Sequence, residues 1–321
     1  MRVGPCGRAG VEEVRGPLAG PTAAPRLATR GGAVGREEAD VVGVVGACGG
    51  AGASTVAAAL ADGLRRAGRR PVLVDLATTG AGIDVLLGID HREGPRWADL
   101  RDARGEVDGR ALVSLLPTWC AVPVLSAHRT DPVVLDPGVV VDVCSALADA
   151  CDVLVLDLPR AALAAGTGAG PGVNAGTAAG TGAVASARTG AGAGPGPCER
   201  GDAEHAALVG ACDTLFLVTP LEVPAVAGAV AAVALARRTG ADRSMRLVAR
   251  RPAPGRLDPW EVSDVVGLPL ACVVGWDRTL AARVDRGQGT PVGARRPLGR
   301  AGRELAALVT AGTLTRIPAV A

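Results

Sequence analysis

Apolar residues in this chain gather into short unbroken runs, and small and apolar residues at helical spacing lie between them. Val41–Gly46, Pro71–Asp75, Cys120–Ser126, Asp152–Asp157, Leu215–Thr219, Arg246–Ala249 and Cys272–Trp276 read as strands. Runs with little polar alternation suit parallel strands covered on both faces. Ser54–Ala67 reads as a helix, with Arg65 and Arg66 in its last turn and Gly68 as its stop. Val139–Ala150 is a second helix, carrying Asp142 and Asp149 on an otherwise apolar segment. Val223–Ala236 is a third, apolar but too short to cross a bilayer, and is expected to lie against a sheet. Leu298–Ala311 is amphipathic, with Leu305 and Leu308 opposed to Arg300, Arg303 and Glu304, and is expected to pack on its own domain. The strand–helix rhythm predicts a three-layer α/β domain: a mainly parallel sheet with helices on both faces.

Two segments break the rhythm. Residues 1–40 are rich in Gly, Pro, Ala and Arg without periodicity, and are expected to be a linker-like or disordered head. Ala161–Pro197 is almost wholly Ala, Gly, Thr and Pro, with Arg188 its one charge, and reads as a disordered insertion spanning about 160–203. The expected organisation is therefore a short head and one domain over 41–321 with a low-complexity insertion.

Composition removes whole classes of chemistry. There is no Tyr, and all 34 basic residues are Arg, so no reaction here uses a phenol or an ammonium side chain. The net charge of +2 gives no electrostatic argument for DNA. None of the eight cysteines forms a CxxC pair, which points to free thiols in a reducing compartment. His91, His128 and His205 are isolated, so no metal site is built on histidine, and no Gly-x-Ser-x-Gly elbow occurs. Trp97, Trp119, Trp260 and Trp276 read as core or interface anchors. No signal peptide or membrane span is read, so a cytoplasmic protein is expected, reaching the inner membrane only through partners.

The candidate site is Val44–Ala59, where a strand runs into glycines and the glycines into a helix. Glycine permits close backbone approach, and a helix start offers unpaired N–H groups and a positive dipole end, which together make an anion site. Gly46 through Ser54 resembles a Walker A loop, with its final Gly-Lys-Ser written Gly52-Ala53-Ser54. The spacing of Gly46, Gly50 and Gly52 also suits a short-chain dehydrogenase loop, but that chemistry needs Tyr and Lys. A plain dinucleotide loop, with Asp75 as the ribose acid, lacks its third glycine, because Thr55 follows Ser54. A purely structural glycine turn remains open. The Walker-like reading gains from order along the chain: Asp75 ends the second strand, Asp157 ends an apolar strand, and Ser54 stands where a Mg²⁺-binding hydroxyl belongs.

These residues resemble the MinD/ParA family, whose loop reads Lys-Gly-Gly-x-Gly-Lys-Ser/Thr. Here it reads Cys48-Gly49-Gly50-Ala51-Gly52-Ala53-Ser54, then Thr55: the glycines and hydroxyl match, and Cys48 and Ala53 replace the lysines. The family's Asp-x-Asp reads Asp75-Leu76-Ala77, without the second aspartate implicated in hydrolysis, and Arg250-Arg251-Pro252 stands where an Asn often reads adenine. The stretch VLVDLATTGAGIDVLLGIDHREGPRWADL, a later APG and RPLGRAGRELAAL are similar to the actinobacterial CpaE-like subgroup, which includes septum site-determining proteins. The resemblance covers about 41–159 and 205–310, and the N-terminal domain usual in that subgroup is expected to be shortened or missing.

The resemblance implies a P-loop NTPase-like fold. It implies ATP or ADP with Mg²⁺, held weakly or no longer at all, contacting Gly49, Gly50, Gly52, Ala53, Ser54 and Thr55, with Ser54, Asp75 and Asp157 at the metal. Losing one charge-assisted contact weakens phosphate binding about tenfold to a hundredfold, and hydrolysis suffers more. The expected role is regulation or positioning in septum-site determination or Flp/Tad-type pilus assembly, with weak or no ATPase activity and no catalytic residue assigned. Its partners would be proteins of the division or pilus and secretion machinery, or a second copy; DNA and stable membrane insertion are not expected. The alternatives are an ATPase in which an Arg such as Arg160 or Arg250 replaces the lysines, and a nucleotide-free scaffold.

Overall fold

The computed structural model describes residues 39–78, 80–103, 107–163 and 207–311. Among the described residues eight strands form one sheet: β1 (Asp40–Gly46), β2 (Pro71–Asp75), β3 (Thr118–Trp119), β4 (Val122–Leu125), β5 (Val153–Leu158), β6 (Thr214–Pro220), β7 (Met245–Arg250) and β8 (Leu270–Val274). Their spatial order is β3-β4-β2-β5-β1-β6-β7-β8. All neighbours pair in parallel except β3 and β4 at one edge, which are antiparallel.

The helices are α1 (Ala53–Arg66), α2 (Ile83–Leu87), α3 (Gly109–Leu115), α4 (Pro137–Ala150), α5 (Val223–Thr239), α6 (Pro259–Val266), α7 (Leu280–Asp285) and α8 (Pro297–Thr310). Strand periodicity sorts the core into two layers. Val41 and Val45, Val72 and Val74, and Leu154 and Leu156 face the layer that includes α3, α4, α5 and α6. Val42 and Val44, Leu73, and Val153 and Val155 face the layer of α1, α2 and α8. This is the P-loop NTPase-like three-layer fold that the chain's pattern predicts.

Several expected boundaries shift. The strand read at Cys120–Ser126 is a hairpin: β3 ends at Trp119, and Cys120 and Ala121 turn the chain with positive φ of 48° and 61°. The strand read at Cys272–Trp276 begins and ends two residues earlier, which leaves Trp276 beyond it and 53% exposed. Trp97 and Trp119 are buried, but Trp260 is 67% exposed and is no core anchor. Of the expected insertion, Arg160–Leu163 form a 3₁₀ turn with Ala162 and Leu163 buried. The rest of it, like residues 1–38 of the expected head, lies outside the described residues. Cys144, Cys151, Cys212 and Cys272 are buried free thiols, Cys48 is half-buried and Cys120 is exposed. Among the described residues no helix is long and apolar enough to cross a membrane.

The amphipathic segment at the end of the described chain is α8, which buries Leu298, Ala301, Leu305, Ala306 and Val309. Its partner is α1, and the two cross at glycine. A β-carbon on Gly63 would lie 2.1 Å from the Gly302 carbonyl oxygen, and one on Gly302 would lie 2.1 Å from that of Ala59. Such contact with backbone cannot be relieved by a rotamer, so the helices would have to separate. Gly302→Ala is expected to lower the unfolding free energy by about 1–3 kcal/mol, read by urea denaturation. Gly49→Ala, whose β-carbon meets nothing within 4 Å, should leave it unchanged.

Candidate functional site

Sheet order places the site. β1 lies between β5 and β6, so the chain leaves β1 where the connections diverge to either side, at the carboxyl ends of the strands. Ligands of open α/β sheets bind at such a switch point. The loop between β1 and α1 is held by the Ala47 amide on the Val218 carbonyl at 2.9 Å and by the Ala51 amide on the Cys48 carbonyl at 3.2 Å. Gly50 and Gly52 take φ of 71° and 92°, which explains glycine at both. Gly52 is the N-cap of α1, yet no side chain caps the helix and its first turn carries no acidic residue. The helix therefore presents a positive end to the loop. Gly49 and Gly50 are exposed, and Gly52, Ala53, Ser54 and Thr55 are half-buried.

The two aspartates arrive by register. Asp75 ends β2 and pairs with Asp157 of β5. Asp75 shares parity with Leu73, and Asp157 with Val153 and Val155, so both carboxylates lie on the α1 face. Asp157 accepts a hydrogen bond from Ser54. Asp75 accepts from the Ala77 and Ile83 amides, each at 2.9 Å, and from the Ala127 amide. The indole of Trp97 donates to the Asp75 carbonyl at 2.5 Å.

From the sequence Trp97 is only an anchor; beside it lies a buried ion pair between Arg96 Nε and Asp84 Oδ2 at 2.9 Å. That pair fixes the segment beside Asp75: the Asp84 amide donates to Ser126 Oγ, and the Trp97 amide to the Ser126 carbonyl. No motif marks it, because its partners meet only after the loops fold together.

Burial, helped by the Asp75 charge and opposed by the Ser54 hydroxyl, pushes the Asp157 carboxyl up to about 7. Burial also raises Asp75, against its three amide donors. Two crowded, buried carboxylates beside a hydroxyl suit a hard cation that completes its shell with water and phosphate. Ser54, Asp75 and Asp157 thus fit Mg²⁺, which would supply positive charge between the carboxylates and a phosphate chain. Among the described residues, no three His, Cys, Asp or Glu side chains cluster as a metal site without such help.

The two arginines named from the sequence separate here. The Arg160 side chain is exposed and makes no hydrogen bond or ion pair among the described residues. Arg250, at the end of β7, reaches the loop: its Nη2 lies 3.4 Å from the Gly50 carbonyl oxygen.

The family model of the cellulose biosynthesis protein BcsQ matches residues 39–174. Two uncharacterized proteins from strains of Mycobacterium tuberculosis are 32% identical over 247 residues, which is 77% of this chain and 57% of theirs. The chain thus spans little more than half the length of these curated relatives. A ParA family ATPase from Chlorobium tepidum superposes with a TM-score of 0.61 at 17% identity, covering 84% of this chain and 98% of that one. MinD from Pyrococcus horikoshii, a septum site-determining protein in complex with Mg-ADP, gives 0.60 at 19% identity, covering 87% and 100%. MinD of Aquifex aeolicus, in its MinC:MinD cell division complex, gives 0.60 at 17%, covering 85% and 96%. The fold is that of the MinD and ParA ATPases.

The raised carboxylates set a pH dependence. The folded state holds the Asp157 proton up to about pH 7, whereas an ordinary carboxyl releases it near 3.8. Between those values the native state binds the extra proton, so the stability of the metal-free protein falls as pH rises, by up to about 1.4 kcal/mol per pH unit. Urea denaturation from pH 4 to 7 in EDTA should show this decline, and Asp157→Asn should flatten it.

Proposed function

We propose that this chain is a regulatory or positioning protein of the MinD/ParA class, one that binds Mg²⁺-nucleotide weakly and hydrolyses it slowly or not at all. The carrying observation is the assembly of an uncapped α1 N-terminus with Ser54, Asp157 and Asp75 around a loop that has no lysine. The backbone of a phosphate loop is kept and its mobile charge is gone. Gly49, Gly50, Gly52, Ala53, Ser54 and Thr55 would meet the phosphates, and Ser54, Asp75 and Asp157 the metal.

The neighbours support the class of role. The Aquifex MinD is seen with MinC in a cell division complex, and the Pyrococcus protein is a septum site-determining protein. By analogy, partners here would be proteins of septum placement or of pilus assembly, met in the cytoplasm or at the inner face of the membrane. A second reading, a true ATPase, is favoured by one observation alone, the approach of Arg250 to the loop.

Calorimetry of ATP and ADP on the full chain, with and without Mg²⁺, tests this. Mg²⁺-dependent binding that Ser54→Ala weakens by about tenfold, with turnover at background, is the expected result. Turnover well above background that Ser54→Ala abolishes would favour the ATPase. No binding up to millimolar nucleotide would overturn both and leave a protein scaffold.

A further inference from the structure

We propose that Arg250 supplies the cationic contact to the nucleotide's phosphate chain, doing from β7 what no residue of the loop can do; this rests on the nucleotide-binding reading above. Arg250 shares strand parity with Val248, which faces the α1 layer, so its side chain falls on the face where the loop lies. Its backbone is anchored and its stem passes close to the loop. The Leu221 amide donates to its carbonyl at 3.0 Å, and its Cδ and Nε would lie 3.3 and 3.5 Å from a β-carbon on Gly52. Glycine at the N-cap of α1 is what leaves room for the guanidinium stem.

The head group is under-satisfied. Its bond to the Gly50 carbonyl, at 3.4 Å, is longer than an ordinary N–H···O bond, and Nε is buried with no hydrogen-bond partner. Among the described residues Arg250 has no carboxylate partner, whereas Arg65, Arg66, Arg69, Arg70 and Arg96 are all paired with aspartate. A guanidinium that reaches a phosphate loop with its Nε buried and unpartnered calls for an anion there. A guanidinium also suits a phosphate, since its planar fork of donors matches two oxygens at once.

The test is calorimetry of ATP, ADP and inorganic tripolyphosphate, each with Mg²⁺, on the wild-type chain and on Arg250→Ala, Arg250→Lys and the exposed control Arg278→Ala. Circular dichroism would confirm that each variant is folded. Arg250→Ala should weaken ATP and tripolyphosphate alike by about tenfold to a hundredfold. Arg250→Lys should recover part of the loss, and Arg278→Ala should stay within about twofold of wild type. Equal or tighter binding by Arg250→Ala would overturn the proposal and make the side chain a plug. Weakened ATP with unchanged tripolyphosphate would overturn it too, by moving the contact to the base. Failure of the wild-type chain to bind any of the three would instead overturn the nucleotide reading itself.

Discussion

The register between β2 and β5 is the constraint on which the site depends. Asp75 and Asp157 are partners across that pair, and both point toward α1 because each lies two residues from an apolar neighbour on that face. A slip of one residue would send one carboxylate into the opposite layer, among Val72, Val74 and Leu156. Burying two carboxylates side by side is costly: burial raises the proton affinity of both, and the Asp75 charge raises that of Asp157 further. A sheet that needed only to be stable would end these strands on apolar residues. Trp97, the Asp84–Arg96 pair and three backbone amides are all spent on holding Asp75 in this expensive place.

The sequence was most legible where one strand decides its own fate. Pro71–Asp75 falls where the pattern puts it, and the apolar run before Asp157 is the buried strand it suggests, because central parallel strands carry unbroken hydrophobic runs. It was least legible where geometry is borrowed. The turn at Cys120 and Ala121 uses residues that rarely take positive φ, so no Asn or Gly announces the hairpin. Trp276 extends an apolar run in sequence but lies past the end of β8, where pairing with β7 has stopped.

The same distinction governs the candidate site. Glycines, Ser54 and the two strand-ending aspartates could be named because each sits at a local signal, a loop or a strand end. Arg160 and Arg250 could not be ranked, since both follow strands and both are arginine. Two non-local facts separate them: β7 lies two strands from β1, and Arg250 has the parity of Val248. Neither can be read without the sheet order.

Moving the positive charge from the loop to β7 also changes what that charge can sense. A lysine at position 53 would ride on the first turn of α1 and move with the loop. Arg250 is tied instead to the sheet, through β6 by the Leu221 amide and, one residue on, through the Arg251 amide to the Val274 carbonyl at the end of β8. A phosphate held between α1 and Arg250 would therefore bridge the helix and the β7–β8 edge. At that edge Trp260 opens α6 and Trp276 follows β8, both exposed. A lysine carried by the loop itself would have no such tie to the sheet.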